Sequence, residues 1–289
     1  MTRVEYLDNT TLTIDKTIIN KAITYILSNL EEDISVGDVS SFCGISKYHL
    51  NRIFRKETGE SLYEFIKRNK IERSAWRLKV EKNKSVTEIS SDYGYSSSNF
   101  STEFKKSLHI SPSLFRKESE ERVLLCSLSR GLTLDDMESM EKNITIETLP
   151  DMFVIYERKK GNYKNMPSQW CSFIEKYSYL KTDDTLYIEC TLDDPSITDE
   201  DNCLYEICQT VDKTDRRISN LSTTMFTGGK YAVYHYKGWP EFLYMIYQEV
   251  FCRWLKKTGY EIDPRPIIDI YRLVRDDGYM EIDICFPLK

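Results

Sequence analysis

Lys47, Tyr48, Asn51, Arg52 and Arg55 fall on one side of a segment whose other side is Leu50, Ile53 and Phe54. These polar types can read a duplex. An arginine fork bonds guanine, an asparagine amide bonds adenine, and tyrosine reaches a thymine methyl or a phosphate. Fifty residues on, a second segment offers a poorer set: Ser97, Ser98, Asn99, Ser101 and Thr102 around Phe100 and Phe104. Both follow one pattern. Val36-x-x-Val39-Ser40-Ser41-x-x-Gly44-Ile45-Ser46 recurs as Val86-x-x-Ile89-Ser90-Ser91-x-x-Gly94-Tyr95-Ser96. Each copy reads as a short amphipathic helix, a glycine turn and a second helix opened by a serine cap, which is the layout of a helix-turn-helix.

The surrounding pattern supplies what would position these groups. Ile18, Ile19, Ala22, Ile23, Ile26, Leu27 and Leu30 predict a scaffold helix over 16–32. Ser35 caps a helix over 36–43, Gly44 turns, and the first recognition helix covers 46–57. Leu62, Phe65, Ile66, Ile71, Ala75 and Leu78 form one stripe over 61–81, a spacer between the two motifs with Trp76 in its core. Two recognition helices on one side of a duplex need a separation of about 34 Å. Ser85 caps a helix over 86–92, and Pro112 opens a final short helix.

The formal net charge of −6 hides a division. Residues 46–117 carry 16 Lys+Arg against 8 Asp+Glu, whereas residues 123–289 carry 20 against 28. A basic segment over the repeated motif fits a nucleic-acid partner. No apolar run approaches the roughly 18–20 residues of a membrane span. Eight cysteines lie scattered without C-x-x-C spacing beside only three histidines, so neither a zinc site nor a disulfide framework is expected. A reduced cytoplasm fits, with no cofactor and no metal.

The segment Gly44-Ile-Ser-Lys-Tyr-His-Leu-Asn-Arg-Ile-Phe-Arg-Lys-Glu-Thr-Gly59 resembles the first recognition segment of the AraC/XylS family. Gly94-Tyr-Ser, Phe100, Phe104-Lys-Lys, Ile110-Ser-Pro112 and Phe115-Arg116 resemble that family's closing signature. The resemblance covers about 17–117 and implies a transcription regulator with Tyr48, Asn51 and Arg52 at base-contacting positions. Four departures stand out: Thr102 where the second unit often has arginine, Glu103 beside it, His109 for a frequent glycine, and serines at 40 and 90 for the usual alanines. The second motif is therefore expected to hold the backbone more than it reads bases.

Residues 121–142 read as a linker between a tandem helix-turn-helix domain (1–120) and a second domain (143–289). In the latter, strands are expected at 144–148, 153–158, 185–191, 203–211, 228–238, 266–274 and 279–286. Helices are expected around 165–179 and over 240–258, where Phe242, Leu243, Ile246, Val250, Phe251, Trp254 and Leu255 are apolar. Phe153–Gly161 parallels Tyr231–Gly238, and each copy leads to a helix and then a strand pair. Two strand-helix-strand-strand units would build an antiparallel sheet with helices on one side and a cleft between the halves. The fold class is thus multidomain, all-α followed by α+β. Fourteen of twenty tyrosines and three of four tryptophans lie past residue 143, which suits lipophilic or cationic small molecules.

Gly228-Gly-Lys-Tyr-Ala-Val, Trp254-Leu-Lys-Lys-Thr-Gly-Tyr260, Arg265-Pro-Ile-Ile-Asp-Ile-Tyr271 and Met280-Glu-Ile-Asp-Ile-Cys-Phe-Pro-Leu288 resemble the GyrI-like effector-binding domain. That resemblance places Asp269 where the family has the pocket glutamate of a Glu-x-Tyr motif. Asp269, Tyr271, Tyr156, Trp170, Tyr205, Trp239 and Glu281 are the candidate ligand-binding residues. The leading expectation is an activator of transcription, not an enzyme, with double-stranded DNA, RNA polymerase and a small effector as partners. Two alternatives stay open for the second half: a hydrolase using Asp269 with Glu281 or Tyr271, and a protein-interaction module.

Overall fold

The computed structural model describes residues 3–129 and 133–289. It divides into two compact units, Met1–Ala75 with Ser85–Pro112, and Trp76–Lys84 with Ser113–Lys289.

The first unit repeats one set of local rules. Helices α1 (Arg3–Ser28), α2 (Val36–Cys43) and α3 (Lys47–Thr58) precede α4 (Leu62–Val80), followed by α5 (Val86–Asp92) and α6 (Ser97–Leu108). Ser35 and Asp38 form a capping box on α2, and Ser85 and Glu88 form the same box on α5. Gly44 (φ 71°) and Gly94 (φ 77°) take left-handed backbone after each first helix, a conformation that costs a Cβ-bearing residue about 1–2 kcal/mol. Ser46 and Ser96 then accept from the backbone N–H of His49 and Asn99. The serines at 40 and 90 are buried, and their hydroxyls donate to the Gly37 and Thr87 carbonyls, each at 2.9 Å. The unusual serines are therefore satisfied alike in both copies. Leu50, Ile53 and Phe54 of α3 and Phe100 and Phe104 of α6 are fully buried, as the spacing predicts. Helix α1 begins well before the expected residue 16.

In the second unit, the stretch expected as a linker is helical. Helix α7 runs Pro112–Ser129 and α8 runs Leu134–Lys142, so Pro112 opens a long helix rather than a short one. Arg130, Gly131 and Leu132 lie outside the described residues. The end of α4 belongs to this unit: Val80 joins its core, and the buried Lys79 ammonium donates to Asp194 at 3.0 Å and to the Ser196 hydroxyl at 3.1 Å.

Eight strands follow in one antiparallel sheet: β1 (Ile144–Leu149), β2 (Met152–Lys160), β3 (Tyr187–Thr191), β4 (Leu204–Thr210), β5 (Thr223–Phe226), β6 (Gly229–Gly238), β7 (Ile267–Val274) and β8 (Met280–Pro287). Helix α9 (Met166–Tyr177) lies between β2 and β3. Between β6 and β7 comes a composite helix: α10 (Leu243–Met245), a π-helical turn (Ile246–Phe251) and α11 (Cys252–Thr258). The Val250 side chain, expected on its apolar face, lies outside the described residues, and Phe242 is exposed.

The strand order β1-β6-β8-β7-β3-β4-β2-β5 reveals a repeat one strand longer than the sequence suggests. Each half is strand-strand-helix-strand-strand, and each first strand pairs with the second strand of the other half, β1 with β6 and β5 with β2. Strand β5 went unpredicted. The two exchanged turns meet where the Gly228 N–H donates to Asp151 at 2.7 Å, and a Cβ at Gly228 would collide with the Leu149 carbonyl oxygen. The helices cover one sheet face in two clusters. Ile155, Tyr205 and Ile207 pack with Phe173 and Tyr177 of α9, while Tyr234, Ile282 and Ile284 pack with Phe251 and Leu255 of the composite helix. Strands β3 and β7 meet at the junction of the halves.

Candidate functional site

On β3 and β7 the register sets Glu189 opposite Asp269 and Tyr187 opposite Tyr271. Alternation turns all four toward the helix-covered face, because Glu189 is also level with Ile207, and Asp269 with Ile284. Both carboxylates are buried, at 5% and 3% exposure. The Tyr271 hydroxyl donates to Glu189 at 2.8 Å, and the Tyr247 hydroxyl donates to Asp269. Tyr247 sits at the start of the π-helical turn. Such wide turns concentrate at functional sites.

Aromatic rings wall this carboxylate pair. Trp170 of α9 packs edge-on to Tyr271 at 5.2 Å and to Tyr187 at 6.1 Å. Its indole N–H lies close enough to depress the Glu189 pKa, yet it falls short of hydrogen-bond geometry. Gln209, level with Tyr187 across β4, is fully buried with neither amide atom partnered. Among the described residues seven buried side-chain polar atoms lack a hydrogen-bond partner, and five of them lie here: Trp170 Nε1, the Tyr187 hydroxyl, both Gln209 amide atoms and Asp269 Oδ1.

Burial dominates the electrostatics. It raises the Glu189 pKa to about 7, against the lowering effect of the Tyr271 and Trp170 donors. Burial and then the Glu189 charge raise Asp269 well above the usual carboxylate range. Tyr247 and Tyr271 are both raised as well, by burial and then by the two carboxylates.

Of the seven predicted ligand-binding residues, the structure brings Asp269, Tyr271 and Trp170 together. Tyr205 shares their face and feels the Glu189 charge, but its ring packs against Tyr163 at 5.2 Å inside the α9 cluster. Tyr156 and Glu281 lie on the opposite face, since Ile155 and Ile282 take the helix side of their strands. Glu281 pairs there with Lys237 at 2.9 Å, so it cannot act with Asp269. Trp239 follows β6, half-exposed and edge-on to Tyr279. Glu189, Tyr187, Gln209 and Tyr247 went unrecognised. A carboxylate and an amide inside the apolar strands Tyr187-Ile-Glu-Cys and Ile207-Cys-Gln were the available signals.

In the first unit, Lys47, Tyr48, Arg52 and Arg55 of α3 are exposed and Asn51 is half-buried. Tyr48 is 81% exposed, uncommon for so large a ring. The Asn51 amide donates to the Lys47 carbonyl at 3.2 Å, and Arg52 reaches His49 at 3.3 Å. On α6, Ser97, Ser98, Asn99, Ser101 and Thr102 are all exposed. The Ser101 and Thr102 hydroxyls donate back to the Ser97 and Ser98 carbonyls at 2.9 and 3.0 Å, and Glu103 pairs with Lys67 at 2.5 Å.

The family model described as a helix-turn-helix domain matches residues 39–118, and that of the GyrI-like small molecule binding domain matches residues 142–289. The chain belongs to the AraC-type regulators that carry a GyrI-like domain. The HTH-type transcriptional activator AarP of Providencia stuartii is 38% identical over 100 residues, 34% of this chain and 73% of AarP. Multiple antibiotic resistance protein MarA of Escherichia coli K12 is 36% identical over 103 residues, 35% of this chain and 80% of MarA. The right origin-binding protein of E. coli K12 is 24% identical over 244 residues, spanning 80% of this chain and 83% of that protein. The α3 and α6 motifs and the Glu189–Asp269 pair thus fall within the helix-turn-helix and the small-molecule-binding domains of an AraC-type regulator. Among the described residues no helix is long and apolar enough to cross a membrane.

Proposed function

We propose that this AraC-type regulator activates transcription by reading DNA chiefly through α3, under control of a lipophilic cation held between Trp170, Tyr187, Tyr247 and Tyr271. One observation carries the effector half: five unpartnered buried polar atoms gather around one carboxylate pair beside Trp170, Tyr187 and Tyr271. Each such group costs about 1–3 kcal/mol, so a site holding five is built to be completed. Aromatic faces above paired carboxylates favour a cation with apolar surface.

On the DNA side, the free donors of Arg52, Lys47 and Arg55 support base and phosphate contact by α3, with Tyr48 and Asn51 beside them. The α6 hydroxyls of Ser101 and Thr102 are already spent on their own helix, which supports a backbone-holding role for Ser97, Ser98, Asn99, Ser101 and Thr102. Activation is carried over from relatives such as the transcriptional activator AarP, and RNA polymerase as partner and the cytoplasm as the place of work are what activation of transcription would require. Coupling requires that the effector prefer one of two states of the chain. Of the two hydrolase pairings, the sheet separates Asp269 from Glu281; Asp269 and Tyr271 do share the site, but Tyr271 is engaged in donating to Glu189, so the regulator reading is favoured.

The effector half is tested by titrating full-length protein with aromatic quaternary ammonium and pyridinium cations while following tryptophan fluorescence. Saturable quenching that weakens in Asp269→Asn and changes in Trp170→Phe is expected. A screen with no saturable response, or responses untouched by both substitutions, would remove the basis for it.

A further inference from the structure

We infer that the buried carboxyl pair is matched to a dication, a small aromatic or elongated molecule bearing two positive charges, one for each of Glu189 and Asp269. This rests on the effector-binding reading above and deepens it from charge sign to charge number.

Directly opposed residues of an antiparallel pair hold their Cβ atoms about 4.5–5.5 Å apart, and Glu189 and Asp269 are such a pair on the two central strands. Neither has a lysine, arginine or histidine partner among the described residues. Each instead accepts from its own tyrosine, Tyr271 or Tyr247. The arginines in and beside the sheet are engaged elsewhere: Arg158 with Glu206, Arg272 with Asp283, and Arg265 with Asp263. Two carboxyl groups thus lie side by side in a buried place, with neutral donors only.

Such a pair cannot ionise fully unless positive charge arrives. A monocation offsets one carboxylate and leaves its neighbour protonated or uncompensated. A dication offsets both, and its binding therefore expels more protons. The exchanged halves meet at these two strands, so the carboxylates occupy corresponding places about the junction. A molecule with two equivalent cationic ends fits that arrangement. Asp269 Oδ1, the Tyr187 hydroxyl and the Gln209 amide remain open for further polar atoms on it.

The test uses full-length protein and two near-isosteric flat probes, N,N′-dimethyl-4,4′-bipyridinium (dication) and N-methyl-4-phenylpyridinium (monocation). At pH 8 the dication is expected to bind about tenfold or more tightly, since each added charge pair in such surroundings is worth over a tenfold step. Calorimetry in buffers of different ionisation enthalpy should show more protons released by the dication. Glu189→Gln should erase most of the preference while leaving monocation binding measurable. Equal affinities and equal proton release in the wild type would overturn the inference and leave effector binding standing. Binding of neither probe would overturn both. The proton count needs no variant, so it decides even if Glu189→Gln fails to fold.

Discussion

The Tyr271 hydroxyl holds the Glu189 carboxylate at 2.8 Å across β7 and β3. One hydrogen bond is modest compensation for a buried anion, and burial still raises the Glu189 pKa to about 7. The folded chain therefore binds more protons than the unfolded chain between the ordinary glutamate pKa and about 7. Stability must then fall as pH rises through that window. The loss is on the order of a few kcal/mol. Thermal melts of ligand-free protein from pH 5 to pH 8 should show it, and Glu189→Gln should flatten the slope. A variant whose melting temperature tracks the wild type in parallel across this range would contradict the assignment.

A bound cation reverses that sign. Binding favours the ionised carboxylates, so the thermal shift produced by an aromatic cation should grow between pH 6 and pH 8. An effector shift independent of pH would mean that the ligand sits away from Glu189 and Asp269.

Trp170 ties α9 to this site through Tyr187 and Tyr271. Trp170→Ala should weaken cation affinity by about 0.5–2 kcal/mol through lost cation–π attraction, readable by calorimetry. Trp239→Ala, at an exposed ring paired with Tyr279, should leave affinity within twofold. Comparable losses from both would move the ligand toward the end of β6.

The helical half was legible because its rules are local. A serine cap, a left-handed glycine and an apolar face all lie within about twenty residues of one another, and the two copies reinforce each other. The carboxyl pair is not local. Glu189 and Asp269 stand eighty residues apart in the chain, and only the strand order makes them neighbours. Reading alternation without register left Tyr156 and Glu281 in the site, although their strands turn them to the other face. The short β5 escaped because Thr223-Thr-Met-Phe226 lacks strong alternation, and the exchange of first strands cannot be read from a repeat. Cys190, Cys208 and Cys285 are buried on the second face and form no disulfide, in keeping with cysteines scattered without motif spacing.

The two recognition helices should respond unequally to truncation. Among the described residues, Arg52 is exposed at the middle of α3 with His49 as its partner, leaving donors to bond a base edge. Arg52→Ala should cost about 1–3 kcal/mol and relax discrimination at one base pair. The Thr102 hydroxyl already donates within α6, so Thr102→Ala should change affinity little and uniformly. Fluorescence-anisotropy titrations over single-base operator variants separate the two, and equal losses would refute the asymmetry.

Helix α6 ends differently from α3, and the difference can be weighed. Gly59 closes α3 at φ 84°, whereas His109 closes α6 at φ 59°, the one non-glycine residue with positive φ among the described residues. Left-handed backbone costs a Cβ-bearing residue about 1–2 kcal/mol. Glycine there would return about 0.4–1 kcal/mol through greater freedom of the unfolded chain. The His109 N–H bond to the Lys105 carbonyl at 2.9 Å survives either way. His109→Gly should therefore raise stability by up to about 1 kcal/mol, seen as a higher urea midpoint at unchanged slope. A lower midpoint would mean that the imidazole makes a stabilising interaction outweighing the strain.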